Sequence, residues 1–387
     1  MWYFVSPQVV FGEGALAALE ELAGRRALIV SDATLLELGL VERVQAHLAR
    51  AGFAVQTFAE VEPDPSLPTV LRGKEVAQAF QPDWIIGLGG GSVLDAAKAI
   101  WVLYERPDLQ PAEITPFTRL NLRQKARLVT IPTTSGTGAE VTWFIVLTDP
   151  AEQRKMGLGS RENVADLAIV DPALAAAMPP RLTAETALDA LTHAVEGYTC
   201  SWHNDLTDGL CLNAARLIFA YLPRAVADGS DMEAREHLHN AATAAGLGFG
   251  NAMASLAHAL GHALGALLHV PHGRAVGLFL PYTVEFAAAE APERFAEMAA
   301  FVGCSQERGA AGARALAGCI RDLCGRVGLP TSLAQAGIDR QALEEHLERL
   351  VDGAFSDTQI ITAVRAPSYD DVRRLFLYAY EGQAVDF

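Results

Sequence analysis

From its start to about residue 180 the chain alternates short apolar runs with amphipathic stretches. The pattern then stops, and this change of period constrains the fold more than any single residue does. Arg26-Ala-Leu-Ile-Val30, Trp84-Ile-Ile-Gly-Leu88, Arg127-Leu-Val-Thr-Ile131 and Ala168-Ile-Val170 read as buried strands, and each ends in turn or capping residues. Between them, Gly39 to Ala51 has helical spacing and ends at Gly52, and Ser92 to Tyr104 opens on a capping Ser with Asp95 three residues on. Strand and helix in alternation predict βαβ units and a mainly parallel sheet over residues 1–180. After Met178-Pro-Pro180, Ala, Leu and the helical period dominate, so residues 181–387 are expected to form an all-helical domain. The two prolines mark the boundary because neither can continue a helix. A chain of 387 residues that is 51% apolar can bury the cores of two such domains.

Charge narrows the function classes. The formal net charge of −16 repels nucleic-acid phosphates and anionic membrane surfaces, so neither is expected as a partner. The five cysteines are odd in number and form no CxxC pair, which argues against a disulfide framework and a thiolate zinc site and fits a reducing compartment. The N-terminus, MWYFVSPQVVFGEG, has no basic segment followed by a long apolar one, so a cytoplasmic location is expected. Between Glu236 and Arg274 there is no acidic or basic residue, a length that could span a membrane. The stretch nevertheless carries His237, His239, Asn240, Asn251, Ser255, His258, His262, His269 and His272, which are costly in hydrocarbon. It reads as buried helices around a site.

Two loops carry ligand-binding chemistry. Gly89-Gly90-Gly91-Ser92 follows a predicted strand and opens a predicted helix, where backbone N–H groups and the helix dipole can receive a pyrophosphate. The run lacks the G-x-G-x-x-G spacing, and a tight βα turn explains it equally well. Pro132-Thr133-Thr134-Ser135-Gly136-Thr137-Gly138-Ala139-Glu140 follows another strand with hydroxyls and backbone donors suited to a ribose, phosphate or amide. Asp32, just past the strand ending at Val30, could accept from an adenosine ribose and repel a 2′-phosphate, favouring NAD over NADP. It precedes the glycines instead of following them, so spacing cannot connect the two, and a helix cap is its simpler role.

In the helical half, Asp189 and His193 stand four residues apart on one helix face, and His258 and His262 repeat that spacing, with His272 just beyond Pro271. One carboxylate and several imidazoles suit a divalent iron or zinc ion with a position left for substrate. Any one of these histidines could be a satisfied core residue. Together they have no packing role that Ala or Leu would not fill without a desolvation cost.

The motifs Gly89-Gly-Gly-Ser-Val-Leu-Asp-Ala-Ala-Lys98, Thr133 to Glu140, Asp189-Ala-Leu-Thr-His-Ala-Val-Glu196 and His258 through His272 resemble, in order and spacing over nearly the full length, those of the iron-containing, group III alcohol dehydrogenases. The resemblance implies a dehydroquinate-synthase-like fold and a metal held by Asp189, His193, His258 and His272. It implies that His262 is not a ligand, although spacing alone would pair it with His258, and that it lies beside the nicotinamide and substrate, in a proton relay. For the nucleotide it points to Asp32, Gly89, Gly90, Gly91, Ser92, Thr133, Thr134 and Lys155. The implied activity is NAD-linked interconversion of small primary alcohols or diols and aldehydes with Fe(II) or Zn(II), in a homodimer. Glycerol dehydrogenase and dehydroquinate synthase are rivals on the same fold, and a catalytically silent NAD- and metal-binding scaffold is the alternative outside catalysis. The family's Cys-Thr and Asn-Pro-Arg stretch stands here as Asp357-Thr358 and Arg365-Ala-Pro367, a departure that touches no expected ligand.

Overall fold

A computed structural model describes residues 3–152 and 154–387. It divides into two compact units, Met1–Ala177 and Met178–Phe387. The first is built on a parallel sheet of β1 (Gln8–Phe11), β2 (Arg26–Val30), β3 (Ala54–Phe58), β4 (Trp84–Gly89), β5 (Arg127–Pro132) and β8 (Leu167–Val170), in the order β1-β8-β5-β4-β2-β3. Strands β6 (Phe144–Asp149) and β7 (Arg154–Gly159) pair separately as an antiparallel hairpin. The runs read as strands are β2, β4, β5 and β8. Strands β3 and β7, with exposed residues interleaved, carry little apolar signal, whereas β6 opens on the apolar run Phe144-Ile-Val-Leu147, which the sequence reading did not assign to a strand.

Side chains of β2 alternate between two cores, as a period of two requires. Leu28 and Val30 pack with Val70 and Ala77 of α3 (Leu67–Phe80) and with Ala96 and Ile100 of α4 (Gly91–Glu105). Ala27 and Ile29 pack with Val41, Val44 and Leu48 of α2 (Leu40–Arg50). Two short helices, α1 (Ala33–Glu37) and α5 (Pro172–Ala175), follow β2 and β8. The helix expected to open at Ser92 instead has Gly90 at its N-cap with no side-chain cap, and the Ser92 hydroxyl accepts from the Asp64 N–H.

The second unit is helical: α6 (Pro180–Thr199), α7 (Asp205–Ala227), α8 (Met232–Asn251), α9 (Leu256–Leu268), α10 (His272–Ala287), α11 (Pro292–Phe301), α12 (Gly309–Arg326), α13 (Arg340–Ser356) and α14 (Tyr369–Glu381). Pro180, expected as a breakpoint, is the first residue of α6, where its missing N–H costs nothing. The charge-free stretch forms α8 and α9, broken between them and again before α10, and is not one span. Among the described residues only α7 is long and apolar enough to cross a membrane, and it packs within the α6–α8 core.

Small residues bring these helices into backbone contact. A Cβ at Gly261 of α9 would fall 2.8 Å from the Val276 nitrogen of α10, and one at Gly273 of α10 would fall 2.5 Å from the Glu185 carbonyl oxygen of α6. One at Gly277 would meet the Leu188 side chain. The Gly261→Ala variant therefore tests two opposed effects. Alanine favours the helix by about 1 kcal/mol, whereas overpacking costs about 1–3 kcal/mol, with the upper end expected where the obstruction is backbone. A lower urea midpoint is expected, and an unchanged or raised one would mean that α9 and α10 are not held this closely.

Candidate metal centre and phosphate loop

Asp189, His193 and Glu196 occupy successive turns of α6 and are buried on one face. Helix α9 contributes His258 and His262, and α10 begins at His272. His269 takes the left-handed conformation that ends α9, so the chain reverses through Pro271 and returns His272 toward α6. Asp189 Oδ1 lies 3.4 Å from His272 Nε2, 3.7 Å from His258 Nε2 and 3.8 Å from His193 Nδ1. His193 Nε2 lies 3.0 Å from His258 Nε2. Ligand atoms at about 2.1 Å from one tetrahedral ion stand about 3.4 Å apart, a spacing that Asp189, His258 and His272 approach, whereas His193 meets Asp189 through Nδ1 and His258 through Nε2 and so presents no single nitrogen to both.

Two observations strengthen the fit. Asp189 Oδ1 and His193 Nδ1 are fully buried and have no hydrogen-bond partner among the described residues, and an unpaired buried carboxylate oxygen is expensive unless a cation meets it. Asp189, His258 and His272 also bring one ligand atom each within 4.8 Å of one another. Burial opposes ionisation of Asp189, but the His193 and His272 imidazoles around it hold its carboxyl well below the usual range. Burial pushes His193 down to about 3, leaving a neutral lone pair.

Glu196 closes the motif that begins at Asp189, and nothing in the sequence alone gives it a role. Its Oε2 receives the Ser255 N–H at 2.9 Å and meets His258 Nδ1 at 2.5 Å, while its Oε1 receives the Ala257 N–H at 2.5 Å. The carboxylate thus fixes the start of α9 and turns His258 so that Nε2 faces Asp189. Although burial favours neutral His258, Glu196 and Asp189 push it up to about 10. A cation must displace that proton to bind at Nε2.

His262 stacks on His272, with ring centroids 5.2 Å apart, and its Nδ1 lies 2.6 Å from Asp357 Oδ2, a partner sequence reading did not assign. Burial lowers the His262 pKa despite Asp357. Burial opposes ionisation of Asp357 too, yet the His262 hydrogen bond holds its carboxyl below the usual range.

In the first unit, β2 leads outward to β3 while β4, β5 and β8 run the other way, so the strand order reverses between β2 and β4. Ligands bind at such a switch point, at the carboxyl ends of the strands. Val30 is in register with Gly87, which puts Asp32 level with Gly89 across that point, a juxtaposition spacing could not supply. Asp32 caps α1, accepting from the Leu35 N–H at 2.9 Å. The glycines meet the second loop: a Cβ at Gly90 would lie 3.3 Å from Thr134 Cγ2, and one at Gly91 2.8 Å from Thr137 Cγ2. The Thr133 N–H bonds the Gly89 carbonyl at 3.0 Å. The uncapped first turn of α4 thus offers free N–H donors beside Thr133 and Thr134. Lys155 of β7 joins the same edge, with Nζ 2.7 Å from Asp64 Oδ1, and the Asp64 N–H in turn meets Ser92.

Two effects of this geometry are measurable. Glu196→Gln places an amide N–H₂ where three donors converge, so Zn(II) affinity, read by chelator competition, is expected to fall by about 10–100-fold with helicity retained. Unchanged affinity would remove Glu196 from the site. Below pH 10, displacement of the His258 proton should raise metal affinity by about tenfold per pH unit. Calorimetry at pH 7.5 in two buffers of different ionisation enthalpy should then record at least one proton released per ion bound, and none released would contradict the arrangement.

Comparison with known proteins agrees with this layout. The family model for iron-containing alcohol dehydrogenase matches residues 6–172, and that for the Fe-containing alcohol dehydrogenase family, C-terminal, matches residues 183–380. The chain is 37% identical over 390 residues to the NADPH-dependent butanol dehydrogenase of Clostridium saccharobutylicum, covering 100% of both. It is 34% identical to the aldehyde-alcohol dehydrogenase of Streptococcus pneumoniae serotype 4, matching with 98% of its own length but spanning only 46% of that protein. The crystal structure of a 1,3-propanediol oxidoreductase superposes with a TM-score of 0.93 at 32% identity, covering 98% of this chain and 100% of that one.

Proposed function

This chain belongs to the iron-containing alcohol dehydrogenase family, and from that premise we propose that NAD is its nucleotide, that Asp189, His193, His258 and His272 hold its metal, and that His262 carries the proton. It is a metal-dependent, NAD(P)-linked alcohol dehydrogenase that interconverts alcohols and aldehydes. The observation that carries the metal assignment is the buried, unpaired Asp189 Oδ1 with three imidazoles turned to it.

When bound, a divalent ion supplies Lewis acidity toward an alcohol or carbonyl oxygen, and a nicotinamide supplies the hydride acceptor or donor. The chain's own residues bind, orient and move the proton. The first turn of α4, from Gly90 through Ser92, receives the pyrophosphate, with Lys155 as the nearby cation and Thr133 and Thr134 as further donors. Asp32 takes the adenosine ribose hydroxyls, where its charge would repel a 2′-phosphate. His262 keeps 31% of its side chain accessible, so it can take the alcohol proton and pass it to solvent. Small primary alcohols and diols are the proposed substrates, in keeping with the butanol and 1,3-propanediol enzymes it resembles. A cytoplasmic homodimer is the proposed state.

The NAD assignment departs from the butanol dehydrogenase, which is NADPH-dependent, and rests on Asp32. Chelator-stripped protein reloaded anaerobically with Fe(II) or Zn(II) should reduce NAD in the presence of butanol or 1,3-propanediol, with a lower kcat/KM for NADP. Asp32→Ser keeps a capping oxygen for Leu35 while removing the charge, and should shift the preference toward NADP by about tenfold, or ~1.4 kcal/mol. A wild-type preference for NADP, or no shift in the variant, would take discrimination away from Asp32. No activity with either metal would remove the proposed assignment of the site.

A further inference from the structure

Asp357 has no place in the metal centre or the nucleotide loop, yet it is built against His262. It stands between α13 and a 3-10 turn, Thr358–Thr362, with 17% of its side chain accessible. Its two oxygens have different partners. Oδ1 accepts the Gln359 N–H at 2.8 Å, capping the turn, and Oδ2 lies 2.6 Å from His262 Nδ1. The backbone bond fixes the plane of the carboxylate and so the position of the oxygen that meets the imidazole.

We propose that Asp357 is a positioning residue for the proton relay: it holds His262 in the tautomer protonated at Nδ1, so that Nε2 presents its lone pair to the substrate hydroxyl. An ionised carboxylate only accepts, so the proton between the two groups belongs to Nδ1, and a neutral imidazole then has its lone pair at Nε2. During alcohol oxidation the hydroxyl proton would move to Nε2, and a bound nicotinamide would supply the acceptor for the C–H hydride. The resulting imidazolium keeps its Nδ1–H bond to Asp357, which stays ionised, and Nε2 then releases the proton to water. In aldehyde reduction the same proton returns to the forming alcohol oxygen. The inference rests on the relay reading of His262 given above, and the test separates the two.

Asp357→Asn is the informative change. The Gln359 N–H still requires an oxygen, so the asparagine carbonyl turns to it and the amide N–H₂ faces Nδ1. That forces the proton onto Nε2 and blocks the relay. With Zn(II)-loaded enzyme, His262→Ala should lower kcat by about 100-fold, the lower end of what a positioned acid or base contributes. Asp357→Asn should lower kcat by at least about tenfold with KM for alcohol within about twofold, because substrate binding does not use the tautomer. In the double variant, Asp357→Asn should add nothing to His262→Ala, since it acts only through that imidazole. Long-range 1H–15N spectra of [15N]histidine-labelled, Zn(II)-loaded protein supply a readout apart from turnover, with His262 protonated at Nδ1 in the wild type and at Nε2 in Asp357→Asn. Should Asp357→Asn fail to fold, Asp357→Ser keeps a cap for Gln359, loses the reach to His262, and should show the same kcat loss. If His262→Ala is slow while the Asp357 variants are not, the positioning role falls and the relay stands. If His262→Ala keeps full kcat, the relay itself falls. Multiplicative losses in the double variant, or a wild-type His262 protonated at Nε2, would overturn the proposal by assigning Asp357 to the fold alone.

Discussion

The helical unit is organised around one atom, Asp189 Oδ1. It is buried, has no hydrogen-bond partner among the described residues, and is faced by imidazole nitrogens from its own helix, from α9 and from α10. Transferring a lone carboxylate out of water costs several kcal/mol even after relaxation, and the imidazoles around Asp189 offset part of that. A divalent cation changes the balance by giving every converging lone pair a common partner. The free energy of filling the site is therefore also free energy of holding α6, α9 and α10 together, and the constraint on the metal is a constraint on the fold.

Meeting that constraint requires helices closer than ordinary side chains permit. Gly273 lies against the Glu185 carbonyl one turn before Asp189, and Gly261 lies against the Val276 backbone between the two histidines of α9 and the body of α10. Glu196 provides the second requirement, orientation. By accepting from two backbone N–H groups at the start of α9 and meeting His258 Nδ1, it fixes where the helix begins and which nitrogen faces the ion. With three donors already on Glu196, the unpaired Asp189 is the acid of the α6 face that fits the proposed ligand role.

The parts of this arrangement legible in the sequence were those carried by local pattern. The strands β2, β4, β5 and β8 announced themselves as short apolar runs, and the helical half announced itself by period. The ligand set came from motif resemblance, because spacing alone would have paired His258 with His262. What could not be read depended on contacts between distant segments. Asp32 and Gly89 come together only because the sheet order reverses between their strands. Asp64 reaches Ser92 and Lys155 across separations of 28 and 91 residues, and Asp357 reaches His262 across 95. Ser92 misled because a hydroxyl before an apolar helix is ordinarily its cap, whereas here the N-cap falls two residues earlier, at Gly90, and the hydroxyl accepts from Asp64.

The motif that ends at Lys98 shows why resemblance does not by itself assign roles. A lysine seven residues after a glycine-rich turn suggests a phosphate contact, yet Lys98 is fully buried, with Nζ donating to the Phe144 carbonyl at 2.8 Å and to Asp95 and Thr142 at longer range. Asp95 in turn accepts from the Val146 N–H. The pair ties α4 to the β6–β7 hairpin, and Lys155, on the second strand of that hairpin, thereby stays at the edge where Ser92 and Asp64 lie. One lysine of the unit is spent on geometry so that another can stand near the phosphate loop, and only the three-dimensional arrangement distinguishes them. A related division separates Glu196 from His258 and Asp357 from His262. At both places a carboxylate outside the proposed ligand set orients an imidazole through Nδ1.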